Sequence, residues 1–144
     1  MPTSTTPLPA RVRAFLETPR YAAIATTDPD GAPRQAVIWF RLDGDTIVIN
    51  SLDGRRWPSN LRRDPRISIA VTDAATENWV GISGTVEAVD DQARAQADIA
   101  AMARRYHAAD PTHAEELIQR RFQPQQRVSF RITPIAIHDH LDED

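Results

Sequence analysis

Gln35-Ala36-Val37-Ile38-Trp39-Phe40-Arg41-Leu42, then Asp43-Gly44, then Asp45-Thr46-Ile47-Val48-Ile49-Asn50-Ser51 is the stretch on which the fold turns. Its first run alternates: Ala36, Ile38, Phe40 and Leu42 form one apolar face, and Gln35, Val37, Trp39 and Arg41 form the other. A period of two over that length is a strand signal. Asp-Gly between two such runs marks a hairpin. In the second run Ile47 and Ile49 share a face while Val48 and Asn50 point away.

The same reading extends in both directions. Upstream, Tyr21 to Thr27 is a strand closed by Asp28-Pro29-Asp30-Gly31, where Pro fixes φ and Gly supplies the left-handed residue of a turn. Downstream, Pro58 to Arg63 predicts one or two helical turns, and Arg66 to Asp73 and Asn78 to Val89 predict strands. Val128, Phe130 and Ile132 alternate with Ser129, Arg131 and Thr133; Pro134 interrupts, and Ile135 and Ile137 continue. Gly81 and Gly84 mark bulges or places where another body approaches the backbone.

Three helices accompany the strands. Val12, Phe15 and Leu16 recur at helical spacing after Leu8-Pro9. Ile99, Met102, Ala103 and Tyr106 stripe a long helix between Asp90 and His107, capped by Asp90 or Asp91. Thr112-His113-Ala114-Glu115 fits a capping box for a further helix through Arg121. The links between the early strands are too short for helical crossovers, so the sheet is antiparallel. The expected architecture is mainly β with flanking helices: six or so strands closing into a small barrel with helices at its ends. Residues 1–9 read as a loose arm, 10–141 as one domain and 142–144 as an acidic tail.

Composition narrows the chemistry. The chain has 144 residues, no Cys and seventeen cationic side chains, every one of them Arg. Disulfides, thiolate zinc sites, Cys nucleophiles, Schiff-base lysines and P-loop lysines are excluded together. Met1 to Pro9 lacks the apolar run of a signal peptide, and no stretch approaches the ~20 apolar residues of a membrane span. The expectation is a cytoplasmic protein without membrane contact.

Net charge is −3, but it is unevenly spread. Gly54 to Arg66 holds five Arg and one Asp, a charge of +4, so the remainder carries −7. Arg55 and Arg56 stand where a strand meets a helix start, and free backbone N–H groups there also favour anions. Arg62, Arg63 and Arg66 read as a solvated helix face. The acidic remainder opposes an extended polyanion, so no nucleic-acid partner is expected. Val37 and Trp39, on the outward face of their strand, point to contact with a ligand or a second subunit.

Gly54-Arg55-Arg56 followed by Asn60-Leu61-Arg62-Arg63-Asp64-Pro65-Arg66-Ile67-Ser68 resembles the signature of the pyridoxamine-phosphate-oxidase-like split-barrel superfamily. The match is to its branch of F420-dependent, flavin/deazaflavin oxidoreductases. Ala25-Thr26-Thr27-Asp28-Pro29-Asp30-Gly31-Ala32-Pro33 and Trp39 fit as well, and the likeness runs from about Leu16 to Ile137. The resemblance implies an FMN-binding-like antiparallel split β-barrel, a homodimer with cofactor sites at the subunit interface. It also implies a ring lying along Gln35, Ala36, Val37 and Trp39, polar contacts from Asn50 and Ser51, a phosphate held by Arg55 and Arg56, and a loop supported by Asn60. The implied cofactor is coenzyme F420, with FMN as the alternative. The implied activity is hydride transfer to a small conjugated apolar electrophile, the rivals being an FMN oxidoreductase and a non-catalytic carrier.

One position departs from the pattern. Many relatives have Lys where this chain has Trp57, which either lines the pocket or packs against Pro58 and the barrel. The ending Ile137-His138-Asp139-His140-Leu141 lacks the substrate-binding Arg/His of true pyridoxamine-phosphate oxidase. His138 and His140 share a strand face but have no evident third ligand, and the His107 and His113 pair reads as surface, so no metal site is expected. No catalytic side chain is assigned, because in hydride transfer the cofactor carries the chemistry.

Overall fold

The computed structural model describes residues 6–142. The run expected as a single strand over 35–42 is two strands, β2 (Pro33–Ile38) and β3 (Arg41–Asp43), separated by Trp39 and Phe40. The other strands are β1 (Ala22–Thr27), β4 (Thr46–Leu52), β5 (Arg66–Thr72), β6 (Trp79–Val89) and β7 (Arg127–His140). All pair antiparallel in one seven-stranded sheet of order β2-β1-β5-β6-β7-β4-β3. β2 and β3 therefore lie at opposite ends of the order although two residues join them. The sheet must curl until its edges approach, which produces the split barrel.

Strand alternation fills the interior. Ile24, Ile69 and Ile82 stand opposite one another across three strands, and Ile47, Ile49, Phe130 and Ile132 line the other half. Phe40, at the break, is fully buried with them, and Ala36, Ile38 and Leu42 pack against the same core as their parity predicted. Two helices plug the barrel: α1 (Ala10–Glu17) through Val12 and Leu16, and α2 (Arg56–Arg63) through Trp57 and Leu61. α2 starts two residues before Pro58, which sits in its first turn, where a missing N–H costs nothing.

Tyr106 closes the backbone at the split. Its hydroxyl accepts from the Phe40 N–H at 3.1 Å and donates to the Arg20 carbonyl at 2.6 Å. Without a strand partner, Phe40 would otherwise hold a buried donor unpaired.

Pro134 does not interrupt the last strand; β7 runs through it because the register slips by a residue at Ser83/Gly84. A Cβ on Gly84 would lie 2.3 Å from the Thr133 carbonyl oxygen, so the bulge needs glycine. Of the expected arm, residues 6–9 are described. The Thr6 N–H donates to the Pro134 carbonyl at 2.9 Å and Leu8 is buried in the core, so the chain is anchored from Thr6 onward. Residues 1–5 of the arm, and 143–144 of the tail, lie outside the described residues.

Between β6 and β7 a helical insert crosses the outside of the barrel. It comprises α3 (Gln92–Tyr106), α4 (Pro111–Leu117) and a π-helical turn (Ile118–Phe122). Asp91 caps α3 by accepting from the Ala93 and Arg94 N–H groups, leaving Asp90 to pair with Arg62. The capping box expected at Thr112 does not form. Asp110 caps α4 instead, accepting from the His113 N–H at 3.1 Å, because Pro111 is preset for the first helical position. Glu115 is thereby released to bond Arg104 at 2.7 Å. The insert packs Ile99, Met102, Ala103, Ile118 and Phe122 over Val48, forming a second core against the outward face of β4.

Candidate functional site

A partly open cavity of about 310 Å³ lies between this insert and the barrel wall. Val37, Ile38 and Trp39 form one side, Ile99, Met102 and Phe122 another, and Asn50 and Ser51 the floor. Arg55, Arg121, Gln125 and Arg127 gather at its polar end. Outward parity explains Val37 on β2 and Asn50 on β4, which turn from the barrel core toward the insert, whereas Ile38 and Ser51 line the cavity although they share the inward parity.

Trp39 is held rigidly. Its ring stacks on Tyr106 at 5.1 Å with planes 8° apart, and Phe122 meets it edge-on at 6.4 Å. Tyr106 in turn lies 6.0 Å from Tyr21 at the cavity rim, and burial pushes its hydroxyl pKa up, so it remains a protonated donor. Trp57 combines both of its expected roles. It is buried in the barrel core, 5.9 Å from Phe130, and one edge reaches the cavity.

The polar floor is a buried chain of hydrogen bonds. Asn50 Nδ2 donates to the Ala95 carbonyl and to Ser129 Oγ, each at 2.9 Å, while its Oδ1 accepts from Arg127 Nε at 3.0 Å. Ser129 Oγ donates to Asp98 at 2.7 Å, and Arg41 donates to the other Asp98 oxygen at 2.6 Å. Gln92 clamps the Arg127 backbone at both its N–H and its carbonyl. Arg127 Nη1 donates to Gln125 at 2.6 Å.

Of the residues expected at a cofactor, Val37, Trp39, Asn50, Ser51, Arg55 and Trp57 converge on this cavity. Gln35, Ala36, Arg56 and Asn60 are outside its lining. Gln35 is exposed on β2, and Ala36 packs against the barrel core. Arg56 lies 3.6 Å from Asp28. Asn60 is buried and donates to Thr26 and to Asp28 at 3.1 and 2.9 Å, tying α2 to the turn after β1. That bond, then Arg34, holds the Asp28 carboxyl below its usual range. Arg121, Gln125 and Arg127 were not anticipated. The available signal was the alternation of β7: with Val128 and Phe130 inward, Arg127 and Ser129 must share the outward face with Asn50.

The histidines hold no assembled ligand set. His140 stacks on Trp79 at 4.0 Å, His107 meets His113 edge-on at 4.7 Å, and no group of three metal-ligating side chains occurs among the described residues. No helix among them is long and apolar enough to cross a membrane.

The pyridoxamine 5'-phosphate oxidase family model matches residues 8–141, nearly the whole chain. The chain belongs to that family. No curated protein matches the sequence. A solved structure described as an F420 reductase shares 24% identity with a TM-score of 0.72, over 91% of this chain and 98% of its own. A conserved hypothetical protein from Mycobacterium tuberculosis shares 22% with a TM-score of 0.76, over 100% of this chain and 96% of its own. HutZ, a heme storage protein from Vibrio cholerae, shares 18% with a TM-score of 0.67, over 93% and 95%. At these identities the likeness speaks for a shared split-barrel fold.

Proposed function

We propose that this family member is an F420-dependent reductase. The observation that carries the reading is the make-up of the cavity. An apolar wall of Val37, Trp39, Ile99 and Met102 suited to a planar ring adjoins a basic end suited to a phosphoryl group. The likeness to a protein described as an F420 reductase lends support. When bound, reduced F420 supplies a hydride from its ring carbon to a small conjugated apolar electrophile.

The chain's own residues bind, orient and exclude water. Trp39, fixed between Tyr106 and Phe122, gives the ring a rigid shelf. Asn50 Nδ2 is committed to Ala95 and Ser129, so the floor is held in place before anything binds. Arg55, at the exposed start of α2, would hold a cofactor phosphoryl group, whereas Arg56 lies outside the cavity lining, 3.6 Å from Asp28. No side chain is assigned as a general acid.

A second copy of the chain completes the site in this reading. Across β2, β1, β5, β6 and β7 two adjacent outward rows read Val37-Ala23-Ala70-Gly81-His138 and Gln35-Ala25-Ser68-Ser83-Ala136. These two rows, mostly small residues without a carboxylate or guanidinium, suit a sheet face laid against another body rather than water.

Fluorescence quenching of F420 by the purified protein tests binding, and oxidation of reduced F420 with a panel of enones, quinones and tetrapyrroles tests turnover. Quenching with turnover is expected. Native mass spectrometry with F420 and FMN supplied together identifies the cofactor: retention of FMN alone makes the chain an FMN oxidoreductase. Tight F420 binding without turnover makes it a carrier. Absence of any binding overturns the proposal.

A further inference from the structure

Consecutive residues of a helix seldom serve one cavity, because in an α-helix their side chains diverge by about 100°. Arg121 and Phe122 are consecutive, and both line the cavity. The turn that carries them, Ile118–Phe122, is π-helical: the Gln123 N–H donates back to the Ile118 carbonyl at 2.9 Å. The wider turn brings neighbouring side chains closer in direction. Pro124 gives a local reason for it, since its ring would crowd the Arg120 carbonyl and it has no N–H to offer there. Single π turns attached to α-helices are rare and recur at functional sites.

The turn is also braced from outside. Gln96 on α3 donates from Nε2 to the Phe122 and Gln125 carbonyls, each at 2.9 Å, so one side chain ties the end of the turn to α3. Phe122 stands between two cavity groups, its ring 6.4 Å from that of Trp39 and 5.0 Å from the Arg127 guanidinium. The angles decide what it can do there. Tyr106 lies within 8° of parallel to Trp39 and is absent from the cavity lining, so it backs one face of the indole and leaves the other for a planar ligand. Phe122 stands at 80° to the indole and therefore crosses the plane of any ring stacked on that free face. It bounds how far such a ring extends, not how thick it is. At about 310 Å³ the cavity is at the small end of the range of about 300–1,000 Å³ for small-molecule sites, so a boundary of this kind is felt.

We propose that Phe122, held by the π-helical turn and by Gln96, is the size-determining wall of the cavity, admitting planar ligands of two or three fused rings and turning away four. Phe122 is the specificity-determining residue, and Gln96, which lies outside the lining, is a positioning residue that acts through it. The inference rests on the F420-reductase reading only for the class of occupant, a planar ring; deazaflavin and flavin are both three fused rings. The selective wall thus comes from the helical insert, while the barrel supplies the surface on which a ring stacks.

Naphthalene-, anthracene- and pyrenesulfonate carry the same charge on two, three and four fused rings and probe the wall without any cofactor. Each is titrated into the wild type, Phe122→Ala and Gln96→Leu, with the polarisation of the probe's own fluorescence as the readout. Wild type is expected to bind the four-ring probe about tenfold to a hundredfold more weakly than the three-ring probe, as overpacking would demand. Phe122→Ala is expected to remove most of that gap, and Gln96→Leu to narrow it. A merely structural loss would weaken all three probes together, so the ratio of affinities is the test rather than any one of them. Phe122→Leu, which keeps a buried apolar side chain, stands in if Phe122→Ala does not fold. Riboflavin and F420 then compete against the bound three-ring probe. If the probes obey the size limit but neither competitor displaces them, the F420 reading fails and the wall stands. A wild type that binds the four-ring probe as well as the three-ring one, or binds none of the three, overturns the wall, as does an unchanged ratio in the Phe122 variants. An unchanged ratio in Gln96→Leu alone overturns the positioning role of Gln96.

Discussion

Tyr106 decides whether the barrel can afford its split. The Phe40 N–H has no strand partner, and the Tyr106 hydroxyl supplies the acceptor while itself donating to the Arg20 carbonyl. Tyr106→Phe should therefore cost about 1–3 kcal/mol, the usual penalty for leaving a buried donor unpaired. A lowered urea midpoint with an unchanged slope is the expected result. Asn60 makes the complementary case through charge. Its bond holds the Asp28 carboxyl below the ordinary value of 3.8 in the folded state, with Arg34 as the next contributor. A depressed carboxyl pKa contributes stability above the unfolded value, and that contribution disappears as pH falls through the folded one. Asn60→Ala should thus be most destabilising near neutral pH, with the gap to wild type narrowing below about pH 4. Urea titrations from pH 7 to pH 3 measure it, and a constant gap would show that Asn60 acts without Asp28.

At the scale of elements, alternation was a good guide to faces and a poor one to continuity. The inward parity of Ala36, Ile38, Phe40 and Leu42 survives in the structure, yet their strand is cut at Trp39-Phe40. Nothing local marks the cut: it follows from the sheet's curling back until its first and last strands are consecutive in the chain. Pro134 shows the converse. It reads as an interruption between two strand runs, but the bulge at Gly84 absorbs it and β7 runs through unbroken. Thr112 illustrates competition between two valid signals, since Asp110-Pro111 offers a better helix start than the Thr/Glu box. Gly84 carries the sharpest prediction at this level. An Ala there puts a methyl against backbone that cannot step aside. Gly84→Ala should destabilise by about 1–3 kcal/mol or more, as overpacking does. Gly81→Ala meets side-chain atoms, the edge of the Trp79 ring and two carbons of His138, and should cost clearly less. Thermal unfolding of the two variants side by side makes the comparison.

For the whole molecule, charge in sequence and charge in space are different maps. The segment's arginines are largely paired, by Asp64 within it and by Asp28, Asp53 and Asp90 outside it, and Arg55 alone among its cations lines the cavity. The cationic corner is assembled from residues 72 positions apart, Arg55 to Arg127, so no window along the chain could have displayed it. The flat outward face of β1 and β5 is likewise a property of registers rather than of any one strand, since Ala23 becomes notable only once Ala70 and Gly81 stand beside it. If that face carries the second copy, the chain should sediment as a dimer. Ala23 is exposed within the single chain, so Ala23→Glu leaves the barrel core untouched while setting a carboxylate into the contact on both copies. Two such carboxylates brought together and desolvated oppose association strongly. The variant is expected to sediment as a folded monomer with an unchanged far-ultraviolet spectrum and weakened cofactor binding. A dimer that tolerates Glu at this position, or a wild type that is monomeric yet binds cofactor fully, would move the interface elsewhere or remove it from the site.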